Sequence, residues 1–188
     1  MTATTQLTCR CGRVRLEVSK QPIIAAECHC NSCREAGARL SALEDAADVR
    51  QPNGGTQFIL YRKDRIRFPA GTELLREFRL TPASTTRRVV ASCCHTPVFL
   101  EFKGGHWLSL YAALWPDELR PVPKVRTMTS DLPAGTTLDD AVPSNRRQSL
   151  SFFAGLLGAW IAMGFRVPKL NFIHGDIAMD APGKNSAG

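Results

Sequence analysis

A chain of 188 residues with 44% apolar side chains can bury a core in one domain and does not demand a second. Its formal charge of +7 favours anionic partners, but no aromatic interleaving accompanies the basic residues, so nucleic acid is not expected. Residues 1–6 hold no basic stretch followed by an apolar one, which reads against a secretory signal and for the cytoplasm; there, seven cysteines more often hold metal or react than form disulfides.

In chain order, Leu7, Cys9, Cys11, Val14, Leu16 and Val18 come close to alternation, predicting a hairpin that turns at Cys11 and Gly12. Residues 31–47 place Ala36, Leu40, Leu43 and Ala47 at helical spacing behind Asn31 or Ser32 as the cap, predicting a short helix. After the turn signal Pro52-Asn53-Gly54-Gly55, strand-like runs follow at 57–61, 65–68, 74–80, 88–92 and 98–102, which makes the centre an antiparallel β region. This centre is also basic, with Arg62, Lys63, Arg65, Arg67, Arg76, Arg79, Arg87 and Arg88 against Asp64, Glu73 and Glu77. The plainest reading of those charges is a solvated strand face, and the alternative is a patch for an anionic partner.

From Pro116 to Pro143 five prolines and few apolar clusters predict a long surface connection. Residues 150–165 (LSFFAGLLGAWIAMGF) are apolar around the whole helical circumference, which predicts a helix buried against this domain or against a second copy, with an interfacial membrane contact as the alternative. Sixteen residues fall short of the roughly 20 that cross a bilayer, so no membrane span is expected. Gly155, Gly158, Ala159 and Ala162 would let another backbone approach, marking a homodimer seam as one option. The predicted organisation is a zinc-binding domain over 1–115, a Pro-rich connection over 116–148, and the apolar helix with its extension over 149–188.

The chemistry resides in the cysteines, arranged as Cys9-Arg10-Cys11, Cys28-His29-Cys30-Asn31-Ser32-Cys33 and Cys93-Cys94. Zinc prefers four tetrahedral ligands, and short loops carrying several thiolates reduce the entropy lost in assembling them. Cys28, Cys30 and Cys33 offer three thiolates within six residues, enough for a metal with one open position, the arrangement of catalytic sites. Cys9, Cys11, Cys93 and Cys94 would close a second, structural site. His29 stands between two of these ligands and is expected to point away from the metal. His106 and His174 have no motif around them, and Trp107, Tyr111 and Trp115 read as core.

The pieces Cys9-Arg10-Cys11-Gly12, Cys28-His29-Cys30-Asn31-Ser32-Cys33 and Cys94-His95-Thr96-Pro97 resemble the pattern of the glutathione-dependent formaldehyde-activating enzymes and centromere protein V-like domains, over roughly residues 7–115. The resemblance implies a mainly β fold, an Mss4-like β-tent of antiparallel sheets, with one closed and one open zinc site. It implies that Cys28, Cys30 and Cys33 hold the catalytic zinc, where glutathione would bind, and that Cys9, Cys11 and Cys94 belong to the structural one. The family's distal motif is C-x-x-C-G. Placing its second cysteine on Cys94 puts Ala91 where the first should stand and His95 in place of the glycine, so Cys93 or His95 is expected to replace the missing ligand.

What the resemblance implies for activity is carbon–sulfur lyase chemistry: addition of glutathione, or another small anionic thiol, to formaldehyde or a similar aldehyde. Arg or Lys from the basic centre would meet the glutathione carboxylates. A non-catalytic zinc module for partner binding is the alternative, and a thiol redox sensor at Cys93-Cys94 is a third reading.

Overall fold

The computed structural model describes residues 4–46 and 48–177. Strands β1 (Thr4–Thr8) and β2 (Arg15–Ser19) pair antiparallel, Leu7 opposite Leu16, and the tight turn between them uses Gly12 at φ 75°, a left-handed conformation that costs glycine nothing. Strand β3 (Ile24–Cys28) leads directly into α1 (Asn31–Ser41). The chain continues with β4 (Thr56–Arg62), β5 (Ile66–Ala70), β6 (Leu75–Phe78), β7 (Thr86–Ala91), β8 (Thr96–Phe102), β9 (Trp107–Tyr111) and β10 (Val125–Thr127), and then reaches α2 (Leu150–Ile161).

These strands form two open sheets. A small one has the order β1-β2-β5, and a large one the order β10-β3-β4-β9-β8-β7-β6. Strand β4 explains how the layers stack, because its buried residues alternate between two apolar clusters. Ile59 and Tyr61 join Leu7, Val14, Leu16 and Val18 of the small sheet, whereas Phe58 and Leu60 join Cys33, Ala36 and Leu40 of α1 and Leu156 of α2. The large sheet is therefore covered by the small sheet on one face and by the helices on the other. A strand buried on both faces reads as a continuous apolar run, as Phe58-Ile59-Leu60-Tyr61 does.

The molecule is mainly β with two helices, and four features differ from the sequence expectation. Helix α1 is capped by Cys30, whose side chain accepts from the Cys33 N–H, and it ends at Ser41; Ala47 lies outside the described residues. The Pro-rich connection is not wholly surface: β10 pairs parallel with β3, because Arg126 there reaches the Glu27 carboxylate and Asp139. That pair also makes the large sheet mixed rather than purely antiparallel. Finally, α2 is not covered all round. Leu156 and the nearby Met163 are buried, while Leu150, Phe153, Leu157 and Ile161 are more than half exposed. Among the described residues no helix is long and apolar enough to cross a membrane.

Candidate metal centres

The turn from β1 to β2 and the turn from β7 to β8 meet where the two sheets converge, and their four cysteines face one another. Sγ of Cys9 lies 3.6 Å from Cys11 and 3.8 Å from Cys93; Cys11 and Cys93 are 3.3 Å apart, and Cys93 and Cys94 are 3.9 Å apart. A tetrahedron with Zn–S bonds of about 2.3 Å has S···S edges of about 3.8 Å. The donor set and its spacing therefore fit a closed four-thiolate zinc site, and all four sulfurs lie within 4.8 Å of one another.

Neighbouring residues in an extended strand point to opposite faces, yet Cys93 and Cys94 reach the same cluster. The reason is local: residues 92–95 form a tight turn in which the Cys94 N–H returns to the Ala91 carbonyl and His95 takes φ 52°. His95 is turned away, its Nδ1 2.7 Å from the Glu44 carbonyl oxygen. Of the two residues weighed as the replacement ligand, the structure brings Cys93 into the group and leaves His95 outside it. Arg10 donates its N–H to the Thr96 hydroxyl, which also lies 3.1 Å from Cys94 Sγ, so the two turns are tied by more than sulfur.

The electrostatics of this group favour thiolate on its outer side. The Arg13 side chain and N–H pull the exposed Cys11 thiol down to about 6, while burial pushes Cys9 up. Burial also opposes ionisation of Cys94, but the Thr96 hydroxyl and the N–H groups of Cys11 and Thr96 outweigh it and lower that thiol.

The second cluster is built from one local segment. Cys28 ends β3, Cys30 caps α1, and Cys33 lies in the first turn of the helix, so all three sulfurs come within 4.8 Å of one another. An N-cap side chain faces the unpaired N–H groups and the positive end of the helix dipole, a favourable place for a thiolate. Here the Cys33 N–H donates to Cys30 Sγ over 3.3 Å. The neighbouring thiols Cys28 and Cys33, the Cys33 N–H and the charge of Arg88 hold the Cys30 thiol well below the ordinary range. Cys28 is pushed up by Cys30 and by burial, and Cys33 by both neighbours and by burial. One negative charge shared by three sulfurs accounts for that split. Three thiolates on one short loop suit a zinc ion with its fourth position open to an outside ligand.

The other sequence-predicted residues fall elsewhere. His29 is wholly buried, its Nε2 lies 2.9 Å from Glu27 Oε1, and it is not part of the three-cysteine group. Glu27 also accepts from Asn53, Gln57 and Arg126; burial would raise its carboxyl, but His29, Gln57 and Asn53 hold it down at about 2. This network fixes the start of the cysteine loop, and the sequence reading did not find it. Its signal was present in the buried-strand position of Glu27, an acid inside an apolar run. His106 is buried and stacks on Trp160 with ring centroids 5.8 Å apart, His174 is exposed, and Tyr111 and Trp115 lie in the core.

Much of the basic centre is paired internally. Arg62 bonds Asp64, Lys63 bonds Glu101, and Arg87 bridges Glu77 and Glu101, with Arg79 on Glu77 as well. Arg87 thereby cross-links β6, β7 and β8, and Lys63 ties the end of β4 to β8, while the Arg62 and Arg79 pairs are local.

Comparison with known proteins agrees with the cysteine pattern. Residues 4–128, about two thirds of the chain, match the family model described as glutathione-dependent formaldehyde-activating enzyme. No curated protein sequence matches the chain. A crystal structure of a Rhodobacter sphaeroides protein aligns with a TM-score of 0.45 at 20% identity, covering 65% of this chain and 100% of the other.

Proposed function

The chain belongs to the glutathione-dependent formaldehyde-activating enzyme family, and from that premise we propose that it adds a small thiol such as glutathione to a small aldehyde at a zinc ion held by Cys28, Cys30 and Cys33. A second zinc, held by Cys9, Cys11, Cys93 and Cys94, would fasten the two sheets of an Mss4-like β-tent. The observation that carries this reading is the division of seven cysteines into one complete set of four and one local set of three.

Three thiolates leave a divalent metal with a net negative charge, which makes it a weak activator of water and favours thiol exchange over hydrolysis. Bound there, the metal would supply a lowered pKa to an incoming thiol, so that it is held as thiolate beside the electrophile. The reaction balances without a further reagent: sulfur forms a bond to the carbonyl carbon, the π pair moves to oxygen, and the proton lost by the thiol is regained there as hydroxyl. Cys30 at the helix N-terminus and the buried His29–Glu27 pair behind the loop hold the ligands in place.

Exchange NMR of glutathione and formaldehyde at equilibrium tests the proposal. The zinc-loaded protein should accelerate formation of S-hydroxymethylglutathione, and Cys33→Ser should abolish the acceleration. An unchanged exchange rate with both metal sites filled would contradict catalysis and favour the non-catalytic, partner-binding alternative.

A further inference from the structure

Arg88 lies in the middle of β7 with 1% of its surface exposed. Its Nη2 donates to the Ser32 carbonyl over 3.1 Å, inside the cysteine loop, while buried Nε and Nη1 have no hydrogen-bond partner among the described residues. Among the described residues no carboxylate pairs with it. The contrast with its neighbour is instructive, since Arg87 points to the other side of the strand and binds both Glu77 and Glu101.

Alternation along β7 gives Arg88 its surroundings. Val89 faces the small sheet, and Val90, on the same side as Arg88, belongs to the cluster beneath the helices. Opposite Arg88 on the adjacent strands stand Phe78 and Leu100 of that same cluster. Tyr111 and the thiols of Cys28, Cys30 and Cys33 belong to this apolar layer, and Tyr111 and Cys30 both feel the Arg88 charge. Burial raises the Tyr111 phenol, which keeps it neutral.

A guanidinium stays charged under all ordinary conditions, and a buried charge without a counter-ion is strongly destabilising. We infer that Arg88 is the counter-charge of the Cys28–Cys30–Cys33 centre, a positioning residue that offsets the net negative charge three thiolates leave around a divalent metal. The inference rests on the three-thiolate zinc site proposed above. It assigns a distinct role to an arginine that sequence alone places in an undifferentiated basic stretch.

The role has a signature that a purely structural arginine lacks. Replacing Arg88 by methionine removes a buried charge, so the metal-free form should keep or gain stability while zinc affinity at this centre falls, by roughly 10- to 100-fold. Arg88→Lys keeps the charge and one donor for Ser32, and should restore affinity to within several-fold of wild type. The experiment is zinc competition with a chromophoric chelator on the full-length, zinc-loaded protein, paired with thermal melts in excess chelator. Cys33→Ser sets the baseline for a chain that has lost this centre.

Weaker zinc binding by Arg88→Met, an undiminished melting temperature in chelator and rescue by Arg88→Lys are the expected result. Wild-type affinity in Arg88→Met would overturn the inference and leave the zinc site standing. A fall in the chelator-treated melting temperature alongside the lost affinity would also overturn it, in favour of a packing role. Equal zinc content in wild type and Cys33→Ser would remove the three-thiolate site itself, and the inference with it.

Discussion

The two cysteine clusters use the same donor atom in opposite ways. Cys9 and Cys11 meet Cys93 and Cys94 across more than eighty residues of sequence and from two different sheets, with sulfurs at the edge lengths of a tetrahedron. Cys28, Cys30 and Cys33 come from one loop on the end of β3 and the start of α1, and beneath them lies a buried arginine rather than a fourth sulfur. A metal in the first cluster would add to the long-range contacts between these turns, which otherwise rest on apolar surface and a few hydrogen bonds such as that of the Arg10 N–H to Thr96. In the second it would add little to a loop already held by α1 and by the Glu27–His29 bond. On the proposed reading, sequence separation of the ligands, more than their number, separates a site that would support the fold from one that would be open to chemistry.

The most forceful way to break this comparison is to remove one ligand from each cluster. Cys93→Ser should lose its metal and lower the melting temperature by on the order of 10 °C, because the two sheets are no longer fastened. Cys33→Ser should lose one metal per chain with a shift of only a few degrees, about 1 kcal/mol. Equal shifts in differential scanning calorimetry would show that both sites are structural.

Ala91→Cys sharpens the comparison further. A site lacking its fourth ligand would gain metal from a thiol at this position, but Cys93 already completes the group. Ala91 is fully buried at the end of β7. The expected outcome is unchanged zinc content and a loss of about 1 kcal/mol from overfilling, read by elemental analysis and denaturant melts.

The smallest expected effect belongs to His95→Gly. Glycine relieves the left-handed φ of 52°, a gain of roughly 1 kcal/mol, but forfeits the contact with the Glu44 carbonyl, a loss of similar size. Stability should change by less than about 1 kcal/mol and metal content not at all. Loss of zinc from this variant would make His95 a ligand and break the four-sulfur description.

The sequence spoke clearly where structure is local. Spacing alone marked the hairpin around Cys11 and Gly12, the helix after Cys30 and the central strands, and it divided the cysteines into the groups that the fold brings together. Long-range features were less legible. β10 was hidden among prolines because only three residues, Val125–Thr127, enter the sheet, held there by Arg126 reaching across to Glu27. The reach of Cys93 depends on a turn whose left-handed residue is histidine, where glycine is the usual signal. Arg88 looked like its neighbour Arg87 because strand alternation shows which side a residue takes but not what covers that side. Helix α2 reads as wholly buried from composition, yet four of its large apolar residues remain more than half exposed.

An anomalous-diffraction crystal structure at the zinc edge tests the central claim most directly. It should show two peaks per chain: one surrounded by Sγ of Cys9, Cys11, Cys93 and Cys94, and one bound by Cys28, Cys30 and Cys33 with a water or small thiol as the fourth ligand. A single peak at the first cluster, or a protein side chain closing the second, would contradict an open three-thiolate centre.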